Sequence, residues 1–300
     1  MDFLDELQNG ILPGDGAMGT ALMDAGAPLE NCFEELCVSQ PDLVRDIHAQ
    51  YLAAGARVIE TNSFGANAVR LARHGLEHRV SELNWSAAQF ARDAAKGTGA
   101  YVAGSVGPLG ITAREARGQG IDRRAAFSEQ IGALLDGGVH LIFLETFLDL
   151  EEILLALEVK HSLHHCPVIA SLARSDDGRL PDGTPLIEAL ARLRAADADV
   201  VGVNCVNGPA AMLRLIEKVP VEGLFSAFPN AGAPDYRGGR ALYQATPGDF
   251  AKSAVALAQK GVRLIGGCCG AGPSHIAAMV EALKTLPPSG IPSNVSAATS

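Results

Sequence analysis

The sequence predicts an α/β fold, a single (β/α)8 TIM-type barrel, and three observations predict it. Eight short apolar runs recur along the 300 residues, Ala- and Leu-rich amphipathic stretches separate them, and glycines close several of those stretches just before the next run. Strictly alternating β and α units build parallel sheets, and eight such units close a barrel. Alternation alone also allows a doubly wound open sheet. The count of eight favours the barrel.

The runs, in order, are ILPGD (11–15), RVIET (57–61), YVAGSV (101–106), HLIFLE (140–145), PVIASL (167–172), DVVGVNC (199–205), GLFSAF (223–228) and RLIGGC (263–268). Each is short, apolar and rich in β-branched residues or bounded by turn formers, which marks a buried strand. Between them, PDLVRDIHAQYLAAG repeats apolar residues at Leu43, Ile47, Tyr51 and Leu52 and then stops at a glycine. DRRAAFSEQIGALLDGG and TPGDFAKSAVALAQKG follow the same plan. Their final glycines suit the left-handed exit from a helix. The barrel is expected to fill residues 1–286. The Pro/Ser-rich stretch 287–300 is expected to be a disordered tail.

Bulk composition narrows the function. The chain is 48% apolar with a formal net charge of −10, and its Lys and Arg residues form no cluster. Nucleic acid and anionic membrane surfaces call for clustered basic residues, so neither is an expected partner. The start, MDFLDELQNGILPGDG, has no basic segment followed by a long apolar one. It does not read as a secretory signal. The six cysteines lack the spacing of a disulfide framework, so a cytoplasmic, reducing location is expected. With neither GxxxxGK[ST] nor a post-strand GxGxxG, a nucleotide loop is rejected.

In a barrel of this kind, chemistry gathers at the C-terminal ends of the strands. Those ends read GDGAMGT, ETNSFGAN, GSVGP, ETF, VNC, FPNAG and GGCCG. Three cysteines fall there: Cys205 on strand six, and the adjacent pair Cys268 and Cys269 on strand eight. Three clustered thiolates repel one another unless a cation neutralises them. Zinc suits them, since soft thiolates select it and three sulfurs leave a fourth tetrahedral position open. Such a centre would hold an incoming thiol as a thiolate. Transfer of a carbon group, such as methyl, to sulfur is the expected chemistry.

GDGAMGT (14–20), ETNSFGAN (60–67), VGVNC (201–205), PNAG (229–232) and IGGCCG (265–270) together resemble the zinc-dependent homocysteine S-methyltransferases. The nearest likeness is to the homocysteine-binding barrel of cobalamin-dependent methionine synthases and their short bacterial relatives, with betaine–homocysteine methyltransferases more distant. The resemblance implies Zn2+ at Cys205, Cys268 and Cys269, with Asn230 as a fourth ligand when substrate is absent. It implies homocysteine held through its ammonium by Asp15 and Glu145. It places the substrate carboxylate on backbone N–H groups near Gly16, Ala17, Thr61 and Asn62. Methionine would be the product. The methyl donor stays open between a separate corrinoid protein, methylfolate and a sulfonium such as S-methylmethionine. Gly65 and Thr146 replace the tyrosines of the betaine-using branch, which argues against betaine. A different thiol acceptor, or a zinc-binding carrier-docking subunit without turnover, are the competing readings. Carboxylates at the mouth favour an amino-acid substrate over the last.

Other features read as structural. His161, His164 and His165 belong to a helix end before strand five, on the face opposite the mouth. Cys32 and Cys37 are expected to be half-buried helical thiols. His275, opening the last helix, is expected to be a first-turn surface residue.

Overall fold

The computed structural model describes residues 2–173, 178–237 and 240–286. All eight predicted runs are strands: β1 (Leu12–Pro13), β2 (Val58–Glu60), β3 (Tyr101–Val106), β4 (Leu141–Phe147), β5 (Val168–Leu172), β6 (Val200–Asn204), β7 (Phe225–Phe228) and β10 (Leu264–Ile265). They pair in parallel in the order β1-β10-β7-β6-β5-β4-β3-β2. A parallel bridge between Gly14 and Val58, with the Arg57 N–H donating to Pro13 O at 2.8 Å, joins the two ends of that order. The sheet is therefore a barrel and not the open alternative. The stretch expected to be a tail lies outside the described residues.

Two residues per strand period divide the side chains between an interior and an outer layer. On β4, Leu141 and Phe143 pack inside the barrel, while Ile142 and Leu144 face the helices. On β6 and β10, Val200 and Leu264 point in and Val201 and Ile265 point out. The interior is closed below by the N-terminal helix Phe3–Asn9, whose Phe3 and Leu7 join Leu12, Val58 and Ile169. Phe3 meets Tyr101 edge-on at 5.4 Å. Above them Phe143 and Phe228 meet edge-on at 5.2 Å and form a floor. Truncating either ring to Ala would cost about 3–5 kcal/mol by the usual cavity cost.

The helices follow the predicted signals. Asp122 caps Arg123–Asp136 by accepting the N–H groups of Arg124 and Ala125, and Gly138 leaves that helix at φ 81°. Thr246 and Asp249 form a reciprocal cap on Pro247–Gln259, and Gly261 exits at φ 97°. Helix Pro41–Ala53 buries Val44, Ile47, His48 and Tyr51. Leu43 and Leu52 stay half-buried, so the buried stripe lies one position round from the one expected and includes a histidine.

One element was not foreseen. After β7 the chain forms an antiparallel hairpin, β8 (Asp235–Arg237) with β9 (Arg240–Leu242), before entering helix Pro247–Gln259. Its strands, DYR and RAL, hold three charged residues and no apolar run, so the signal of a buried strand is missing.

Candidate metal centre and substrate cavity

The inward parity of each strand continues past the apolar floor and changes chemistry there. Two residues beyond Val58, Ala103, Phe143, Ile169 and the inward glycine Gly202 come Glu60, Ser105, Glu145, Ser171 and Asn204. A ring of polar groups therefore sits at the C-terminal mouth. It borders a cavity of about 330 Å3 lined also by Cys205, Cys268 and Cys269.

The three cysteines meet as expected. Cys205 Sγ lies 3.0 Å from Cys268 Sγ and 3.9 Å from Cys269 Sγ. All three ligand atoms fall within 4.8 Å of one another. Backbone bonds fix their positions. The Cys205 N–H donates to Phe228 O at 3.0 Å, and the Cys268 N–H to Pro229 O at 2.8 Å. The Cys269 carbonyl accepts from Ala231 N–H at 2.8 Å. Two local distortions turn adjacent side chains toward one point. Cys205 itself is left-handed at φ 56°, and Gly270 follows the pair at φ 80° with the Tyr243 ring packed against it. A side chain at Gly270 would overlap that ring.

This donor set fits zinc. With Zn–S bonds near 2.3 Å, a tetrahedral S–S edge is about 3.8 Å. The 3.9 Å separation matches that edge, and the 3.0 Å one must open slightly. Hydrogen bonds from Cys205, Cys268 and Tyr243 hold the Cys269 thiol far below its ordinary range. The same contacts, first with Cys205, push Cys268 up. Asn230 is 6% exposed, follows β7, and its Oδ1 has no hydrogen-bond partner among the described residues. It does not line the cavity.

Across the cavity stand carboxyls. Glu145 accepts a short hydrogen bond from Ser105 Oγ and a 3.4 Å one from Thr146 Oγ1. Burial raises its pKa. Thr146, next along, is left-handed at φ 62°, a strained state for a β-branched residue. Asn204 holds it there. The Thr146 N–H donates to Asn204 Oδ1 at 2.9 Å, and Asn204 Nδ2 donates to Thr146 Oγ1 at 2.6 Å. Ser171 Oγ also donates to Asn204 Oδ1 at 3.0 Å. One side chain thereby couples the residue after Glu145 to the residue before Cys205.

Asp15 is 2% exposed and lies beside the cavity without lining it. Its Oδ2 accepts the Glu60 N–H at 2.8 Å. Burial first, then the charge of Glu145, raises its pKa well above the usual carboxylate range. Of the expected backbone donors, Ala17 N–H is spent on Ala271 O at 3.0 Å and Thr61 N–H on Ala103 O at 2.9 Å. The N–H groups of Gly16 and Asn62 have no hydrogen-bond partner among the described residues. Gly16 admits no larger residue, because a Cβ would overlap Ala271 O and the Tyr51 ring.

The sequence reading missed Glu60, Asn204 and Tyr243. Strand parity from Val58 and Val200 could have found the first two. Tyr243 carried no such signal, because it follows the unforeseen hairpin. His275 departs from the surface role expected of it. It is half-buried, its Nδ1 accepts the Gly272 N–H at 3.2 Å, and its Nε2 lies 2.9 Å from Ala245 O. It ties the hairpin's return to the last helix. Cys37 is fully buried behind Asn62, and burial pushes its pKa up to about 12. Burial likewise lifts Cys32, beside Glu34, to about 11. Both are inert packing thiols, though only Cys37 lies in a helix. His164 ends helix Leu150–Leu163 and accepts the Cys166 N–H at 3.0 Å, away from the mouth.

No described helix is long and apolar enough to cross a membrane. Comparison with known proteins bears on the cavity directly. The chain is 32% identical over 308 residues to methionine synthase of Mycobacterium tuberculosis, covering 95% of this chain and 26% of that protein. It thus spans about a quarter of the methionine synthases it matches. The metallated form of the Escherichia coli homocysteine methyltransferase MmuM superposes with a TM-score of 0.71 at 29% identity, over 90% of this chain and 95% of that one. Its apo form gives 0.69 at 28% identity, over 93% and 98%. The family model for homocysteine S-methyltransferase matches residues 12–283, which takes in every barrel strand and all three clustered cysteines. The chain belongs to the homocysteine S-methyltransferase family.

Proposed function

We propose that this protein transfers a methyl group to the thiol of homocysteine, giving methionine, at a zinc held by Cys205, Cys268 and Cys269. The observation that carries the reading is the pairing, in one cavity, of three convergent thiols with inward-facing carboxyls. Sulfur-rich and cation-seeking ends in one chamber fit a short amino acid ending in a thiol. When bound, zinc would lower the acceptor thiol's pKa from about 8.5 and present it as a nucleophilic thiolate. Glu145, fixed by Ser105 and Thr146, would receive the ammonium. The free N–H groups of Gly16 and Asn62 would receive the carboxylate. Phe143 and Phe228 exclude water beneath. In this reading Asn230 reaches the metal only when the acceptor is absent.

The remaining wall is apolar and aromatic. It carries Met18, Met23, Phe33, Phe64 and Tyr243, with Glu34 as its one carboxylate. Arg70 already lies over the Phe64 ring at 4.9 Å and beside Glu34, so Phe33 and Tyr243 are the aromatic groups left to favour a positively charged donor such as a sulfonium over an anionic folate. Residues 1–286 would act as one barrel domain. The test is a donor panel with homocysteine, read as methionine formed. S-methylmethionine, S-adenosylmethionine, betaine, methylfolate and methylcobalamin are each offered to zinc-loaded protein. A sulfonium is expected to serve. Methionine from none of them would reject the activity, and methionine from methylcobalamin alone would assign the donor role to a corrinoid.

A further inference from the structure

Glu60 has no part in the reading above, yet it occupies the ammonium end of the cavity. Parity from Val58 sends it inward, and it lines the cavity alongside Glu145. The two carboxyl groups stand close enough that each acts on the other's titration. Two carboxylates offer acceptors only, so such a pair is relieved by a proton or by a cation. Asp15 completes the group from behind, with Oδ2 on the Glu60 N–H at 2.8 Å and Oδ1 without a partner. Among the described residues no ion pair includes Asp15, Glu60 or Glu145. Around them lie Tyr51, whose hydroxyl is 3.0 Å from both Ala17 O and Ala271 O, the hydroxyls of Ser105 and Thr146, and the Cys269 thiol. None of these brings a positive charge. Three enclosed acids without a cation form a site for one.

Within the acceptor reading, we propose that Glu60 and Glu145 are the two carboxylates that grip the amino acid's ammonium group, and that Asp15 is a positioning residue acting through the Glu60 backbone. An ammonium offers three donors. Glu145 already spends one oxygen on Ser105, so a second carboxylate supplies what it lacks. Burial, then the charges of Glu145 and Asp15, raise the Glu60 carboxyl well above its usual range, in keeping with a proton held by the pair. An entering ammonium replaces that proton, which leaves to solvent.

Calorimetry on the zinc-loaded protein tests this with L-methionine and 4-(methylthio)butyrate, the same thioether acid without the amino group. Neither probe carries a thiol, so proton release reports the carboxyls. Wild type should prefer methionine and release protons with it. Glu60→Gln keeps size but removes the charge. It should weaken methionine by about tenfold or more, leave 4-(methylthio)butyrate within about twofold, and abolish most of the proton release. Glu60→Asp should restore part of the preference, and Asp15→Asn should lose less than Glu60→Gln. The proposal is overturned if Glu60→Gln binds methionine normally, if it weakens both probes equally, or if Asp15→Asn gives the larger loss. A wild type that fails to distinguish the probes overturns the ammonium site and the acceptor reading with it.

Discussion

Glu145 and His48 are both enclosed ionisable residues, and enclosure has opposite meanings for them. Glu145 opens onto a cavity and is held by two hydroxyls, as a recognition group is. Glu145→Gln should raise KM for homocysteine roughly ten- to hundredfold, the worth of a charge-assisted hydrogen bond. It should leave 4-mercaptobutyrate, which has no ammonium, nearly unchanged. Equal losses on both thiols would reduce Glu145 to a structural role. His48 is 0% exposed, and neither ring nitrogen has a partner among the described residues. Burial pulls its pKa down to about 4. A histidine kept neutral inside stabilises the fold fully above its unfolded pKa of about 6.5, and that stability drains as pH falls toward the folded value. Between pH 7.5 and pH 5 the loss should be about 2 kcal/mol. The raised carboxyls of the cavity act in the other direction, since protonation relieves them. The His48 share is therefore read by difference: denaturant midpoints for wild type and His48→Leu at both pH values should show the variant losing less. Equal slopes would sink the assignment.

At the scale of elements, the site depends on how the ends of β4 and β6 are tied. Asn204 makes three side-chain hydrogen bonds, and Thr146 and Cys205 are both left-handed beside it. Asn204→Ala strands the Thr146 N–H and releases a strained turn, at a cost of about 1–3 kcal/mol for the unsatisfied group. Weaker zinc retention and a higher KM for homocysteine should accompany that loss, because both neighbours move. A variant with lower stability but wild-type metal content and KM would show the tie to be purely structural. This coupling marks where the sequence stopped being legible. The eight strands announced themselves because each interior face is apolar and each run is bounded. The cysteines could be read because thiols at two strand ends have few uses. Asn204 could not, since asparagine before a cysteine looks like any strand end until Thr146 is seen opposite. Glu60 was hidden in a quoted motif, where strand parity alone separates an inward carboxylate from an outward one. The hairpin β8–β9 and Tyr243 behind it were invisible, because DYR and RAL carry charged residues and no apolar run that would mark a buried strand.

Across the whole molecule, the metal should act as a clamp on a barrel that already exists. The three thiols that would hold the metal lie on the loops after β6 and β10, above a floor of Phe143 and Phe228 that strand residues build and only Cys268 of the three packs against. A ligand that binds only the folded state adds stability of about 4 kcal/mol at a thousandfold excess over its Kd. For a chain of this size each kcal/mol moves the melting point by about 2–4 °C. Chelation should therefore lower Tm by about 10 °C and leave the far-ultraviolet circular dichroism at 20 °C unchanged. In Cys205→Ser two thiols remain, metal content should fall below one zinc per chain, and chelator should barely shift Tm. Comparing the two proteins separates clamping from folding. If chelation unfolded the wild type at 20 °C, the barrel would depend on the metal and the centre would be structural. If chelation left Tm unchanged while zinc was removed, the ligands would not hold the metal in the folded state more tightly than in the unfolded chain. The fold then would not have built the site that the three thiols mark.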